Sequence, residues 1–382
     1  MKLLRFLRKV RTYLARYNPS VEILISKANL VGNLKEYQKH YPKLSFAPVL
    51  KSNAYGHGLV TVAQILDRER IAFFVVDSLY EVMILRNEGI KSDVLVIGYT
   101  RPENIKNTKL ARVAFTITSM EQLQEIARTI SSRVRIHLKV DTGMHRQGIL
   151  PDQIDDSIRI IKANKFLHLE GVCSHFADAD NVDDTFTKSQ IKQWERAVPL
   201  FSQNFQAIKF FHIAATAGTF YCEETYGNAA RLGRGLYGIS PSTFVELNLK
   251  PVLQMQSVIS SLKTIEAEEY IGYNITYKTT RVTRVATVPV GYFEGVDRRL
   301  SNCGFFKIGD NYCPIVGRVS MNITSIDVTS LPDVKLGDAV TIISNCKEDL
   351  NSVENIAKLT HAIPHEILVH IPQHIRRTVV KN

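Results

Sequence analysis

Three short stretches decide the fold: Val94-Leu-Val-Ile97, Val113-Ala-Phe-Thr-Ile117 and Val134-Arg-Ile-His-Leu-Lys-Val140. Each is apolar and β-rich, and the chain between neighbours is long enough for a helix. The same texture runs outward on both sides. Phe46–Leu50 and Phe73–Val76 precede these stretches, and Leu169–Cys173, Ile208–Ile213 and Ala230–Tyr237 follow them. Strands separated by helical patterns imply βαβ units and a parallel sheet. Eight such units over about 220 residues predict an α/β fold closed as a (β/α)8, TIM-like barrel.

Beyond Pro251 the texture changes. Val252–Leu262, Arg281–Val290, Cys313–Val319 and Ala339–Ser344 alternate or run apolar between Gly- and Asn-rich turns, and no long helical pattern returns before Ser352–Leu359. This predicts a smaller, mostly β C-terminal domain. The expected division is a basic amphipathic extension over 1–18, a barrel domain over 19–252 and a β domain over 253–382.

A chain of 382 residues with 45% hydrophobic and 22% charged residues suits two globular domains. The five cysteines are odd in number and form no C-x-x-C, which argues against a disulfide framework and a thiolate metal site and for reduced thiols in the cytoplasm. Of the net charge of +11, six positive charges fall within the first 21 residues, where no acid occurs. The remainder is only mildly basic, which does not suit a nucleic-acid-binding surface. In residues 2–17, Leu3, Phe6, Leu7, Val10, Tyr13, Leu14 and Tyr17 recur at helical spacing between cations. The arginines exclude a secretory signal or membrane span. A helix packed on protein is the ordinary reading, and association with an anionic membrane surface the alternative.

Barrels of this kind place their chemistry at the C-terminal ends of the strands. There the chain carries Lys51-Ser-Asn-Ala-Tyr55-Gly-His-Gly58, Lys139-Val-Asp-Thr-Gly-Met-His-Arg146-Gln-Gly148, Ser174-His175, Thr216-Ala-Gly218 and Arg231-Leu-Gly-Arg-Gly235. A lysine directly after an apolar strand is partly desolvated, as an amine that forms a Schiff base must be. The glycine-bearing turns at 216–218 and 233–235 have backbone N–H groups suited to a phosphate. The histidines from His361 to His374 invite a metal reading, but His365 and His370 lie five residues apart, not the four that face one ion from a helix, and Pro364 and Pro372 interrupt the run. No metal is expected.

From about Val21 onward, these segments together resemble the alanine racemase family of fold-type III pyridoxal-phosphate (PLP) enzymes. Val49–Gly58 is similar to the family's PLP-lysine signature and Lys139–Gly148 to its second barrel motif. Ser174-His175-Phe-Ala, Arg231-Leu-Gly, Gly291-Tyr292-Phe-Glu-Gly295 and Gly317-Arg-Val-Ser-Met321 follow in order. The resemblance implies PLP carried by Lys51. Lys51 then serves one face of a planar intermediate and handles the proton of the D isomer, while Tyr273 serves the other face and handles that of the L isomer. Because a free phenol ionises only near pH 10, Tyr273 requires a supporting network, for which His175 and Arg231 are the family's candidates.

The resemblance further implies that Arg231 faces the pyridine nitrogen and keeps it largely unprotonated. Arg146 and the backbone of Met321 hold the substrate carboxylate, with Tyr292 also at the substrate site. Tyr55, Thr216 and the N–H groups of Gly233 and Arg234 surround the phosphate. Lys139 matches a lysine often carbamylated, which positions Arg146. Tyr273 and Met321 reach the site from the partner subunit, so a homodimer with shared sites is implied.

Three departures stand out. Ala215-Thr216 replaces the usual Asn-Ser, Asn322 replaces an aspartate, and His365 replaces a tyrosine that contacts phosphate and narrows the entrance. The expected activity is conversion of L-alanine to D-alanine for peptidoglycan. Serine or broad-specificity racemisation is the alternative, resting on His365. A PLP carrier built on the barrel alone is a further rival, opposed by Tyr273 and Met321, which a carrier does not need. Amino-acid decarboxylases of this architecture carry a C-terminal motif that is missing here.

Overall fold

The computed structural model describes residues 18–239 and 247–381. The basic arm of residues 1–17, and with it the membrane-surface reading, lies outside them. No helix of the described residues is long and apolar enough to cross a membrane.

The first strand, β1 (Val21–Ser26), is followed by eight strands at the eight apolar runs. These are β2 (Ser45–Pro48), β3 (Phe74–Val76), β4 (Val94–Val96), β5 (Val113–Ile117), β6 (Val134–Lys139), β7 (Leu167–Cys173), β8 (Phe210–His212) and β9 (Ala229–Leu232). β3 to β8 form one parallel sheet in chain order, and β2 pairs with β9 in parallel. Bridges between Val49 and Val75 and between Ala215 and Arg231 join the two sets, so the eight strands close into a barrel. Helices cover its outside. Three of them begin at serine caps (Ser26, Ser78 and Ser119), as at Ser78, whose hydroxyl accepts from Glu81 N–H while the Glu81 carboxylate accepts from Ser78 N–H. The last strand is shorter than its apolar run. It stops at Leu232, and the chain turns through Gly233 into a 3-10 turn over Arg234–Tyr237, because the run contains two glycines and few residues that hold an extended backbone.

The C-terminal half is built from β10 (Leu253–Val258), β11 (Ser261–Ile265), β12 (Tyr270–Ile271), β13 (Tyr277–Lys278), β14 (Thr283–Val288), β15 (Phe305–Ile308), β16 (Asn311–Pro314), β17 (Thr324–Asp327), β18 (Ala339–Ile343) and β19 (Arg376–Val380). The run 252–262 is two strands divided at Ile259-Ser260. The run from Cys313 leaves the strand after Pro314: Ile315 N–H still donates to Gly304 O at 2.8 Å, and the left-handed Gly317 then turns the chain. The main sheet has the order β16-β15-β18-β10-β1-β19. β1 lies within the span read as barrel, yet it pairs antiparallel with β10 and parallel with β19. The short helix Pro364–Val369 brings this half against the barrel. A Cβ on Gly56 would lie 2.0 Å from the Leu368 carbonyl oxygen, and Arg377 Nη2 donates to the Gly56 carbonyl at 2.8 Å.

Candidate active site

The segment after β2 is wound the wrong way for L-residues. Ser52, Asn53, Ala54 and Tyr55 have φ of 56°, 56°, 53° and 52°. Left-handed backbone costs roughly 1–2 kcal/mol per non-glycine residue, so the turn persists only because its surroundings hold it. Ala54 N–H donates to Leu50 O at 2.8 Å, and Ser52 N–H donates to Glu81 Oε1 at 3.0 Å. Asn53 Oδ1 accepts from Leu59 N–H at 2.9 Å. His57 Nδ1 reaches the carbonyls of Tyr55 and Ala54 at 2.9 and 3.1 Å. Carbonyls only accept, so this nitrogen carries the proton. Burial pushes His57 down to about 4, which keeps the imidazole neutral.

The turn aims Lys51 and Tyr55 into one cavity of about 400 Å³, which His175, Thr216, Arg231, Gly233, Arg234 and His365 also line. All the residues expected around the cofactor are therefore together. Thr216 Oγ1 accepts from Gly233 N–H at 3.0 Å, so that N–H is turned to the hydroxyl and the hydroxyl keeps its own proton to donate. Arg234 Nη2 pairs with Asp180 Oδ2 at 2.8 Å. The His365 ring lies edge-on to Tyr55 with centroids 6.4 Å apart. Burial, then the Arg234 and Lys51 charges, lower the His365 pKa.

A second cavity of about 340 Å³ shares Lys51, His175 and Arg231 and adds Lys139 and Arg146. Four permanent or potential cations thus face one carboxylate, Asp77, a setting that attracts anions. Burial, with the Arg231 and Arg146 charges, lowers Lys139 below an ordinary lysine. Its Nζ approaches Gln147 Oε1 at 3.4 Å.

Arg231 is buried, and both of its terminal nitrogens are engaged. Nη1 reaches His212 Nδ1 at 2.5 Å and His212 O at 2.7 Å, while Nη2 reaches Ser174 O at 2.8 Å, His175 Nδ1 at 2.8 Å and Ile213 O at 3.1 Å. Because a guanidinium only donates, both imidazoles offer lone pairs at Nδ1 and carry their protons on Nε2. Burial and then the Arg231 charge hold His175 and His212 well below the usual imidazole range.

Tyr273, Tyr292 and Met321 do not line either cavity of their own chain. They are 67%, 44% and 55% exposed. Their loops are locked together. Tyr292 N–H donates to Ser320 O at 3.0 Å, Phe293 N–H donates to Met321 O at 2.9 Å, and a Cβ on Gly272 would lie 3.3 Å from Arg318 N. Asn322 Nδ2 donates to Glu294 Oε1 at 2.7 Å. The sequence reading overlooked His212, His137 and Asp180. The available signal was a histidine at an inward position within each of two apolar runs, Ile136-His-Leu138 and Phe211-His-Ile213.

Comparison with known proteins agrees with this geometry. Residues 25–241 match the N-terminal domain of alanine racemase, and residues 252–379 match its C-terminal domain. The chain belongs to the alanine racemase family. It is 33% identical over 358 residues to alanine racemase 2 of Oceanobacillus iheyensis, covering 92% of this chain and 90% of that one. It is 33% identical over 371 residues to an alanine racemase of Leptospira interrogans, covering 94% and 95%. The structure of an alanine racemase from Clostridium difficile 630 superposes with a TM-score of 0.88 at 29% identity, covering 96% of this chain and 97% of that one. Within the alanine racemase framework, the departures at Thr216 and His365 both fall in the wall of the first cavity.

Proposed function

We propose that this protein interconverts the enantiomers of alanine and that Lys51 carries pyridoxal phosphate. The convergence of Lys51, Tyr55, Thr216, Arg231 and His365 on one cavity supports the reading most directly. The wall fits a phosphate. Gly233 leaves a bare place where a Cβ would lie 3.0 Å from Tyr55 Oη and 3.8 Å from Thr216 Oγ1. His365 Nδ1 is buried there with no partner among the described residues. Tyr55, Thr216, the Arg234 backbone and His365 would hold the phosphate in the space Gly233 leaves, and Arg231 the ring nitrogen.

When bound, the cofactor supplies a conjugated ring that accepts the electron pair left at Cα. Everything else falls to the chain. Arg231 offers donors only, so a nitrogen facing it keeps its lone pair. Arg146, with the backbone of the partner subunit's Met321 and the partner's Tyr292, holds the substrate carboxylate. Lys51 Nζ moves the Cα proton on one face and serves the D isomer, while the partner subunit's Tyr273 moves it on the other and serves the L isomer. His175, with its proton on Nε2, supports that phenol. A carbamate on Lys139 fits the excess of cations: its neutral amine adds to carbon dioxide, loses one proton, and places a negative charge beside Arg146.

A homodimer with shared sites is supported by the exposure of Tyr273 and Met321 on a surface that also leaves Ile275 67% exposed. The five cysteines are all unpaired, which supports the cytoplasm as its place and D-alanine for peptidoglycan as its product. The racemase relatives carry alanine in their names, which favours alanine over serine or a broad substrate range. The test is Cα-proton exchange in heavy water, followed by NMR with purified protein, added PLP and each common amino acid. Exchange with inversion of alanine is expected. Exchange strongest with serine, or none at all, overturns the assignment.

A further inference from the structure

The interior of this barrel is not lined by apolar layers alone. Below Arg231 a file of polar side chains descends through it. His212 Nε2 lies 2.8 Å from His137 Nδ1, and His137 Nε2 lies 3.9 Å from Glu170 Oε2. Glu170 in turn accepts from Arg135 at 2.6 Å and from Lys209 at 3.3 Å, and Arg135 also pairs with Asp93 at 2.6 Å. His137, Glu170 and His212 are all buried.

The backbone is shaped for this file. The register between β6 and β7 slips at Ile136/His137, so that Ile136 faces Leu169, His137 faces Gly171, and Glu170 is the extra residue of a bulge. Gly171 leaves room for the imidazole, since a Cβ there would lie 2.6 Å from His137 Nδ1. Phe73 and Phe210 pack on the His137 ring with centroids 5.4 and 6.0 Å away.

The protons in the file have a single consistent arrangement. Arg231 donates to His212 Nδ1, which leaves the His212 proton on Nε2. That proton points at His137 Nδ1, which must then accept, so the His137 proton sits on Nε2 and faces the Glu170 carboxylate. The opposite arrangement would set two N–H groups against each other at Arg231. We propose that His137 and Glu170 are positioning residues, which give the His212 Nε2–H its acceptor and thereby hold His212 where it seats Arg231 beside the ring nitrogen. Burial, which pushes His137 down to about 3, agrees with neutral imidazoles throughout. The inference rests on the assignment of Arg231 made above, but its first readout does not.

That readout is 15N NMR of the histidine rings in the full-length protein free of PLP, with the His137 and His212 signals assigned by single substitution. The expected pattern is N–H at Nε2 and a bare Nδ1 for both rings. A proton on His212 Nδ1 overturns the proposal whatever the enzyme does with alanine, and failure of alanine exchange leaves this readout standing. His137→Asn retains an acceptor near the Nδ1 position, and His137→Leu removes it while filling the space. With His137→Leu, the His212 Nε2–H loses its acceptor, so the His212 ring signals are expected to shift and kcat to fall roughly ten- to a hundredfold, as for other outer partners of a site, with KM little changed. His137→Asn should keep the Nε2 proton and restore most of kcat. Should His137→Leu not fold, the asparagine variant and the wild-type ring signals decide alone. An unchanged His212 ring and rate in the leucine variant, or an asparagine variant no better than leucine, rejects the idea.

Discussion

At the scale of single residues, the assignment of faces makes an asymmetric prediction. Tyr273→Phe removes the hydroxyl that serves the L isomer and leaves Lys51 in place. Single-turnover deprotonation of L-alanine should slow by roughly 10²- to 10⁴-fold, the usual worth of a general base, with a much smaller effect on D-alanine. Equal losses from both sides would show that the faces are wrongly assigned. The buried histidines make a second prediction. His57 and His137, pushed down to about 4 and about 3, with His175 and His212 also well depressed, stay neutral in the fold, whereas the unfolded chain takes up protons near pH 6.5. Below that pH the unfolded state binds more protons, so stability falls as pH falls, by up to about 1.4 kcal/mol per unit for each histidine. Denaturant midpoints should be level between pH 7 and 8 and should drop between pH 6.5 and 5. Equal midpoints at pH 7.5 and pH 5 would count against neutral burial.

At the scale of elements, the left-handed turn and the helix Pro364–Val369 act together. Gly56 has φ of 82° and faces the Leu368 carbonyl, while Gly89 has φ of 83° with nothing within 4 Å. Gly89→Ala thus measures backbone strain alone, roughly 1–2 kcal/mol. Gly56→Ala adds a collision that must push the helix away and His365 with it. It should lower the melting temperature more than Gly89→Ala and weaken PLP binding in absorbance titration. Matched effects of the two variants would mean that the helix does not clamp the turn. This element also marks the limit of sequence reading. The motif from Lys51 to Gly58 announced the site, and the eight apolar runs announced the barrel, because strand burial on both faces leaves unbroken apolar stretches. The inverted handedness at Ser52–Tyr55 left no mark, since none of these residues is glycine and the tertiary contacts impose the turn. The β7 bulge was equally hidden, because Glu170 in Leu169-Glu-Gly171 reads as an ordinary strand alternation.

At the scale of the whole molecule, the proposed sharing of sites is open to a complementation experiment. Lys51→Ala and Tyr273→Phe chains, each nearly inactive alone, are unfolded together and refolded as a mixture. Half the dimers then pair unlike chains, and one of the two sites in each is intact, so about a quarter of wild-type activity should return from a twofold-symmetric assembly. No recovery from well-folded mixed dimers would place Tyr273 in its own chain's site. The domain reading was least legible at this scale, because Val21–Ser26 has the apolar pattern of a first barrel strand and only its long-range partners reveal otherwise. That placement bears on how the protein is made. β1 leaves the ribosome early, yet its two neighbours are β10 and β19, the latter ending at Val380. At about 5–20 residues per second, the wait between the emergence of β1 and that of β19 is roughly 20–70 s. The barrel strands can pair during translation, but β1 waits for both neighbours, so a product stalled before β10 carries a strand with both edges open, and one stalled between β10 and β19 a strand with one edge open.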